Sequence, residues 1–164
     1  MASSKPIVRQ TAWISLIPQL LFMAILCAIY IIFIEPIFLA IELALITYLF
    51  LSVTLKFSIS HNHRKGIALF KVGKYEQAIN EFQKSYSFFS KYTWIDKYRF
   101  ITLLSSSKIS YREMALLNVA FCYSQIGDGK KSKDYYLKTI EQFPNSEMAN
   151  TSLKMIESIE NNDK

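Results

Sequence analysis

Apolar residues crowd the first third of the chain and then settle into a helical period. Ala12 to Ile34 contains no charged residue, and Ile37 to Leu55 contains one, Glu42. Only Glu35 and Pro36 separate the two runs. At about 1.5 Å per residue, each run is of a length to cross the ~30 Å hydrocarbon core of a bilayer as a helix. The pattern predicts a transmembrane helical hairpin over residues 12–59, with helices over about 12–34 and 37–57, preceded by a tail over residues 1–11. The first run is too long for a signal-peptide core, and a second membrane-length run follows it where a polar mature segment would stand.

Beyond Ser60 the apolar period is that of helices throughout. Ile67, Leu69, Phe70 and Val72 precede Gly73, a residue suited to end a helix in the left-handed region. Ala78, Ile79, Phe82 and Tyr86 mark one face of a second helix starting near Tyr75. Trp94, Ile95, Tyr98, Ile101 and Thr102 predict a short inserted helix over 94–104, which the Ser105-Ser106-Ser107 run breaks. Ser110 and Glu113 form a capping-box pattern ahead of a helix that ends at Gly127. Asp128 or Gly129 turns the chain. The next helix stops before Pro144, and Ser146 can cap a last helix over 147–160.

The two helix pairs share a design. Gly66, Leu69, Gly73, Tyr75, Ala78 and Phe82 stand at the same offsets as Ala120, Tyr123, Gly127, Gly129, Ser132 and Tyr136, with Pro144 eight positions further on. Small residues belong where antiparallel helices touch, and aromatics fill the gap to the next unit. The stretches GIALFKVGKYEQAINEFQKSYSFF and LLNVAFCYSQIGDGKKSKDYYLKTIEQFP carry a resemblance to the tetratricopeptide repeat. In the second, Leu116, Val119, Ala120, Tyr123, Gly127, Tyr136 and Pro144 match, while Gly129 replaces an aromatic and Ser132 replaces Ala. The copies lie 54 residues apart rather than the family's 34 or so, so about twenty extra residues intervene. The expected fold is all-α, the hairpin followed by a helical-repeat (α-solenoid) domain over residues 60–160. Its repeats span about 60–92 and 112–145, the inserted helix fills the middle, and the last helix caps one end.

The resemblance implies a binding scaffold whose groove is lined by the first helix of each pair. Here that groove would present His63, Ile67, Phe70, Lys71, Leu117, Phe121, Ser124 and Gln125, a mixed apolar and basic surface suited to a peptide of some acidic character. The same residues can also be read as packing against the inserted helix. Family members that hold acidic chaperone tails use a Lys/Asn clamp; His63 and Ile67 occupy its places, so that ligand is not expected.

Charge adds topology. The net charge is +6 over 164 residues. Lys5 and Arg9 precede the first run, and Lys56, Arg64 and Lys65 follow the second, while the Glu35–Pro36 turn has neither Lys nor Arg. Positive charge marks the cytoplasmic side. The expectation is an integral membrane protein with both termini cytoplasmic, in a bacterial inner membrane. Trp13 and Tyr30 stand toward opposite ends of the first run as interface aromatics do. Ala24 and Ala28 on one helix, and Ala40 and Ala44 on the other, offer a close-packing seam. Glu42 and Gln19 are the polar groups inside the spans. Glu42 is a functional candidate by its position, or else turns inward to bond Tyr30 or water; Gln19, beside Pro18, reads as packing or a kink.

Other chemistry finds little footing. Cys27 and Cys122 are too separated in pattern to imply a disulfide and read as buried hydrophobes. His61 and His63, two apart, point to different helix faces, a poor metal geometry; with Arg64 and Lys65 they suit anionic headgroups. Lys130, Lys131 and Lys133 cluster at a helix start, but the charge is too spread for a nucleic-acid face. Glu76, Glu81, Glu113 and Asp134 scatter on polar faces. There is no phosphate-cradling glycine loop and no nucleophile elbow. No enzyme activity, metal or cofactor is expected. The partners expected are membrane lipid and a protein or peptide. Two functions fit: a membrane-anchored adaptor, or a small subunit or assembly factor of a larger membrane complex whose hairpin makes the main contacts.

Overall fold

The computed structural model describes residues 16–162. Lys5, Arg9, Trp13 and the start of the first apolar run lie outside the described residues. The described chain is all-helical: α1 (Leu16–Phe33), α2 (Ile37–Ile59), α3 (His61–Lys71), α4 (Tyr75–Lys91), α5 (Thr93–Lys97), α6 (Arg99–Thr102), α7 (Tyr111–Gln125), α8 (Gly129–Gln142) and α9 (Glu147–Asn162). Two compact units divide it. One holds residues 16–61 with Trp94–Lys108, and the other holds Asn62–Thr93 with residues 109–162.

In the first unit, α1 (18 residues) and α2 (23 residues) are each long and apolar enough to cross a membrane. They pack on each other. The seam differs from the expected pairing of small residues on both sides. Ala40 and Ala44 are fully buried, yet Ala24 and Ala28 are exposed. α1 instead turns Phe22, Met23, Leu26, Cys27 and Tyr30 inward, all partly buried. Large side chains on one helix need small ones only on the other, and α2 supplies these at Ala40, Ala44 and Ser52. The rings of Phe22 and Tyr48 lie 6.2 Å apart. The hydroxyls of Tyr30 and Thr47 share a hydrogen bond of 2.9 Å. α2 stops at Ser60, whose amide donates to the Lys56 carbonyl.

The inserted segment belongs to this same unit rather than to the middle of the helical stack. It forms α5 and α6, and α6 packs on α1. Arg99 organises it by donating to three backbone carbonyls, those of Asp96, Ser107 and Lys108. Thr102 donates its hydroxyl proton to the carbonyls of Ile95 or Tyr98. Leu104 turns the chain with φ 46°, in the left-handed region. Leu103 and Leu104 are buried.

In the second unit, α4 packs on α7, α7 on α8 and α8 on α9. The two helix pairs end their first helices in the same way. The Lys74 amide bonds the Leu69 carbonyl and the Gly73 amide bonds that of Phe70; the Asp128 amide bonds Tyr123 and the Gly127 amide bonds Ser124. Both are Schellman turns, and both need positive φ, which Gly73 (75°) and Gly127 (80°) supply. Ser110 caps α7 by accepting from the Glu113 amide at 3.1 Å. Ser146 precedes α9, but its buried hydroxyl makes no hydrogen bond and so does not cap it.

Several of the small positions sit at buried contacts. Ala78, Ala120 and Ser132 are wholly buried. A Cβ on Gly66 would stand 2.7 Å from the Phe82 ring. One core cluster joins Ala78, Ile79, Phe82, Val119 and Cys122, with Ile67, Leu69, Phe70, Tyr75 and Tyr123 against it. A second joins Leu117, Ala120, Tyr136 and Ala149. Pro144, just beyond α8, is exposed.

Thermal unfolding of the full chain in detergent checks this packing. Gly66→Ala is expected to cost about 1–3 kcal/mol through overpacking, and Gly73→Ala about 1 kcal/mol or more through its left-handed backbone. Gly129→Ala, with open space around its Cα, is expected to be neutral or mildly stabilising. Ser132→Ala removes a buried hydroxyl without a partner and is expected to raise stability, by up to roughly 1 kcal/mol.

Candidate functional site

The eight positions expected to line a groove divide between core and surface. His63 and Leu117 are core residues, at 4% and 6% exposure. Ile67, Phe70, Phe121 and Gln125 are half-buried, and Lys71 and Ser124 are exposed. The seam between α3 and α7 is marked by the Phe70 and Phe121 rings, tilted and 5.5 Å apart. Phe70 also meets Tyr75 edge-on at 5.5 Å. Ser124 turns its hydroxyl back onto the Phe121 carbonyl, which leaves Lys71, Gln125 and the outer edges of the two phenyl rings as the outward-facing groups. Such a surface offers an apolar step beside one cation and one amide. Surfaces of that chemistry are of a kind on which extended or helical segments dock.

His63 is instead the hub of an aromatic cluster. Its ring meets Phe82 at 5.5 Å and Tyr111 at 5.2 Å, both edge-on. Tyr111 in turn stacks on Phe89 at 4.7 Å. The Ser85 hydroxyl stands 3.4 Å from Nδ1. Burial disfavours the imidazolium and lowers the His63 pKa to about 4. His61, by contrast, is exposed. Among the described residues no group of three His, Cys, Asp or Glu gathers as a metal set would.

Sequence reasoning missed Glu81, placed among the acids on polar faces. It is buried at 5% exposure and accepts from Lys65 at 3.1 Å and Lys84 at 3.0 Å. Burial alone would raise its pKa, but the hydrogen bonds and charge of Lys84 and Lys65 hold it below the ordinary carboxylate value. The signal was available: Glu81 lies beside Phe82 on the α4 face that meets α3, and Lys84 follows it by three positions.

Within the lysine cluster, Lys131 is engaged. Lys131 pairs with Asp128 at 3.0 Å and lies 5.3 Å from the Tyr123 ring centre. Tyr123 stacks on Tyr135 at 5.4 Å, and Tyr135 accepts from the Gln83 amide at 2.8 Å. Tyr86 donates to Gln142 at 2.8 Å. These contacts tie α4, α7 and α8 together.

In the hairpin unit, Glu42 is exposed rather than turned inward. Tyr30, its expected partner, is taken by Thr47. Gln19 is half-buried against the hairpin seam, and its amide nitrogen has no hydrogen-bond partner. Cys27 and Cys122 are both free thiols, and burial pushes Cys122 up to about 12.

No family model, curated protein or solved structure matches this chain.

The pH dependence of stability follows from His63. Its folded-state pKa is about 4, below the ~6.5 of an unfolded histidine. The unfolded chain binds the extra proton, so stability is full above pH ~6.5 and is lost as pH falls toward 4, by about 3 kcal/mol at most. Glu81 contributes a second loss, below the ordinary carboxylate range. Chemical denaturation across pH is expected to show the first loss in the parent and not in His63→Gln, while Glu81→Gln removes only the second.

Proposed function

We propose that this chain is a membrane-anchored adaptor. Its hairpin holds a two-repeat, tetratricopeptide-like helical unit at the cytoplasmic face of a membrane, and the α3–α7 seam captures a protein segment. The observation that carries the reading is the half-buried Phe70–Phe121 pair, 5.5 Å apart, with Lys71 and Gln125 beside it. The repeat reading is supported by two identical helix-ending turns at Gly73 and Gly127 and by the bare backbone at Gly66 under Phe82. An anchored module searches a surface rather than a volume, which raises its effective concentration toward partners there.

One observation favours the second reading, a subunit or assembly factor of a membrane complex. Glu42 is exposed on α2, a helix long and apolar enough to span. Facing lipid, a carboxylate is costly; facing another protein's helix, it gains a partner.

In-cell crosslinking of the full chain, followed by mass spectrometry, separates the two. On the adaptor reading Phe121→Glu is expected to cut recovery of the crosslinked partner about tenfold or more, since a truncated or charged aromatic anchor costs ~2 kcal/mol, and Glu42→Leu leaves it unchanged. The reverse pattern would establish the hairpin as the main contact.

A further inference from the structure

We propose that the Trp94–Tyr98–Ile101 face of α5 and α6 beds in the headgroup region of an anionic bilayer, as a shallow third membrane contact beside the hairpin. The proposal rests on the reading of α1 and α2 as membrane-spanning.

Trp94, Tyr98 and Ile101 recur at helical spacing, and the backbone carries that spacing through the junction. The Tyr98 amide bonds the Trp94 carbonyl, and the Thr102 amide bonds that of Tyr98. All three side chains are exposed, at 58%, 50% and 53%. Of the segment's other apolar residues, Ile95, Leu103 and Leu104 are buried and Phe100 is half-buried. The segment thus spends one set of apolar groups on its own unit and leaves a second, aromatic set outside.

What covers that second set follows from where α6 lies. It packs on α1, a helix that turns Ile17, Leu20, Leu21, Ile25 and Ile29 outward. An element touching a lipid-bathed helix lies within the membrane or at its edge. Its charges exclude the interior: Lys97 and Lys108 are exposed, and each would cost about 3 kcal/mol at the bilayer centre. The edge satisfies both demands. Trp and Tyr favour that depth because one end of each ring is apolar and the other polar. The Lys97 ammonium lies 5.6 Å from the Tyr98 ring centre, so cation and aromatic present together. Across Trp94–Lys108 the bases Lys97, Arg99 and Lys108 outnumber the single acid Asp96, and a basic surface is attracted to anionic lipid. The Arg99 guanidinium is engaged by three carbonyls of the segment, which holds the face in shape without help from a ligand.

The test uses the full chain carrying Trp13→Phe, so that Trp94 is its sole tryptophan, reconstituted in vesicles of phosphatidylcholine and phosphatidylglycerol. Phosphatidylcholines brominated near the glycerol end or near the methyl end of the acyl chain report depth. The expected result is loss of Trp94 emission with the shallow bromines, less loss with the deep ones, and little loss with aqueous iodide. Quenching by iodide without quenching by either lipid overturns the proposal and leaves the face to a protein partner; stronger quenching by the deep bromines overturns its interfacial depth. Alkaline carbonate extraction of the same vesicles keeps the failures distinct. A chain that stays in the pellet with a water-exposed Trp94 sinks this proposal alone, whereas a chain that washes off sinks the hairpin reading and this proposal with it.

Discussion

The Phe82 ring lies on a stretch of α3 that has no side chain, and the spacing of the helical unit depends on that contact. With a Cβ at position 66 the two would overlap, so α3 and α4 approach as closely as they do only because glycine stands there. Ala78 and Ala120 repeat the economy at the neighbouring contacts, each with nothing of its surface left exposed. Once the helices are this close, the polar groups between them must find partners within a narrow gap. Glu81 reaches both Lys65 and Lys84, and His63 is enclosed by Phe82, Tyr111 and Ser85. Tight backbone approach therefore sets the electrostatics of the unit as well as its shape.

The hairpin unit solves its packing differently. Small residues line only one of its two helices, and the other contributes phenyl, thioether and phenol groups. In hydrocarbon such an arrangement gains from dispersion and from the Tyr30–Thr47 hydrogen bond, because apolar surface itself earns nothing from burial against an equally apolar solvent.

Much of the helical unit could be read from residues with one physical use. Gly73 and Gly127 had to end helices, Ser110 had to start one, and Gly66, Ala78, Ala120 and Ser132 had to lie at contacts; helix limits followed within a residue or two. What resisted reading depended on partners distant in sequence. His63 and Leu117 were expected on a groove, but helical period alone does not say which of two apolar faces a neighbouring helix will cover. Glu81 looked like surface charge because its lysines are recruited from another helix as well as its own. Ala24 and Ala28 looked like a seam because spacing says nothing about rotation of α1 about its axis. The insertion sat midway between the repeats in sequence, yet its contacts tie it to the hairpin, a pairing no local pattern encodes. The surface left at Phe70 and Phe121 was legible as positions and not as a shape.

The two tight corners of the helical unit share a backbone and differ in what guards them. Lys74 begins α4 with no side-chain bond, whereas Asp128 begins α8 by accepting from the Lys131 amide and pairing with its ammonium. Protonating Asp128 would weaken the cap of the second corner and salt would screen its exposed ion pair, while the backbone bonds of both turns stay, so two bends of one geometry differ only in a side-chain clasp that the solvent can reach.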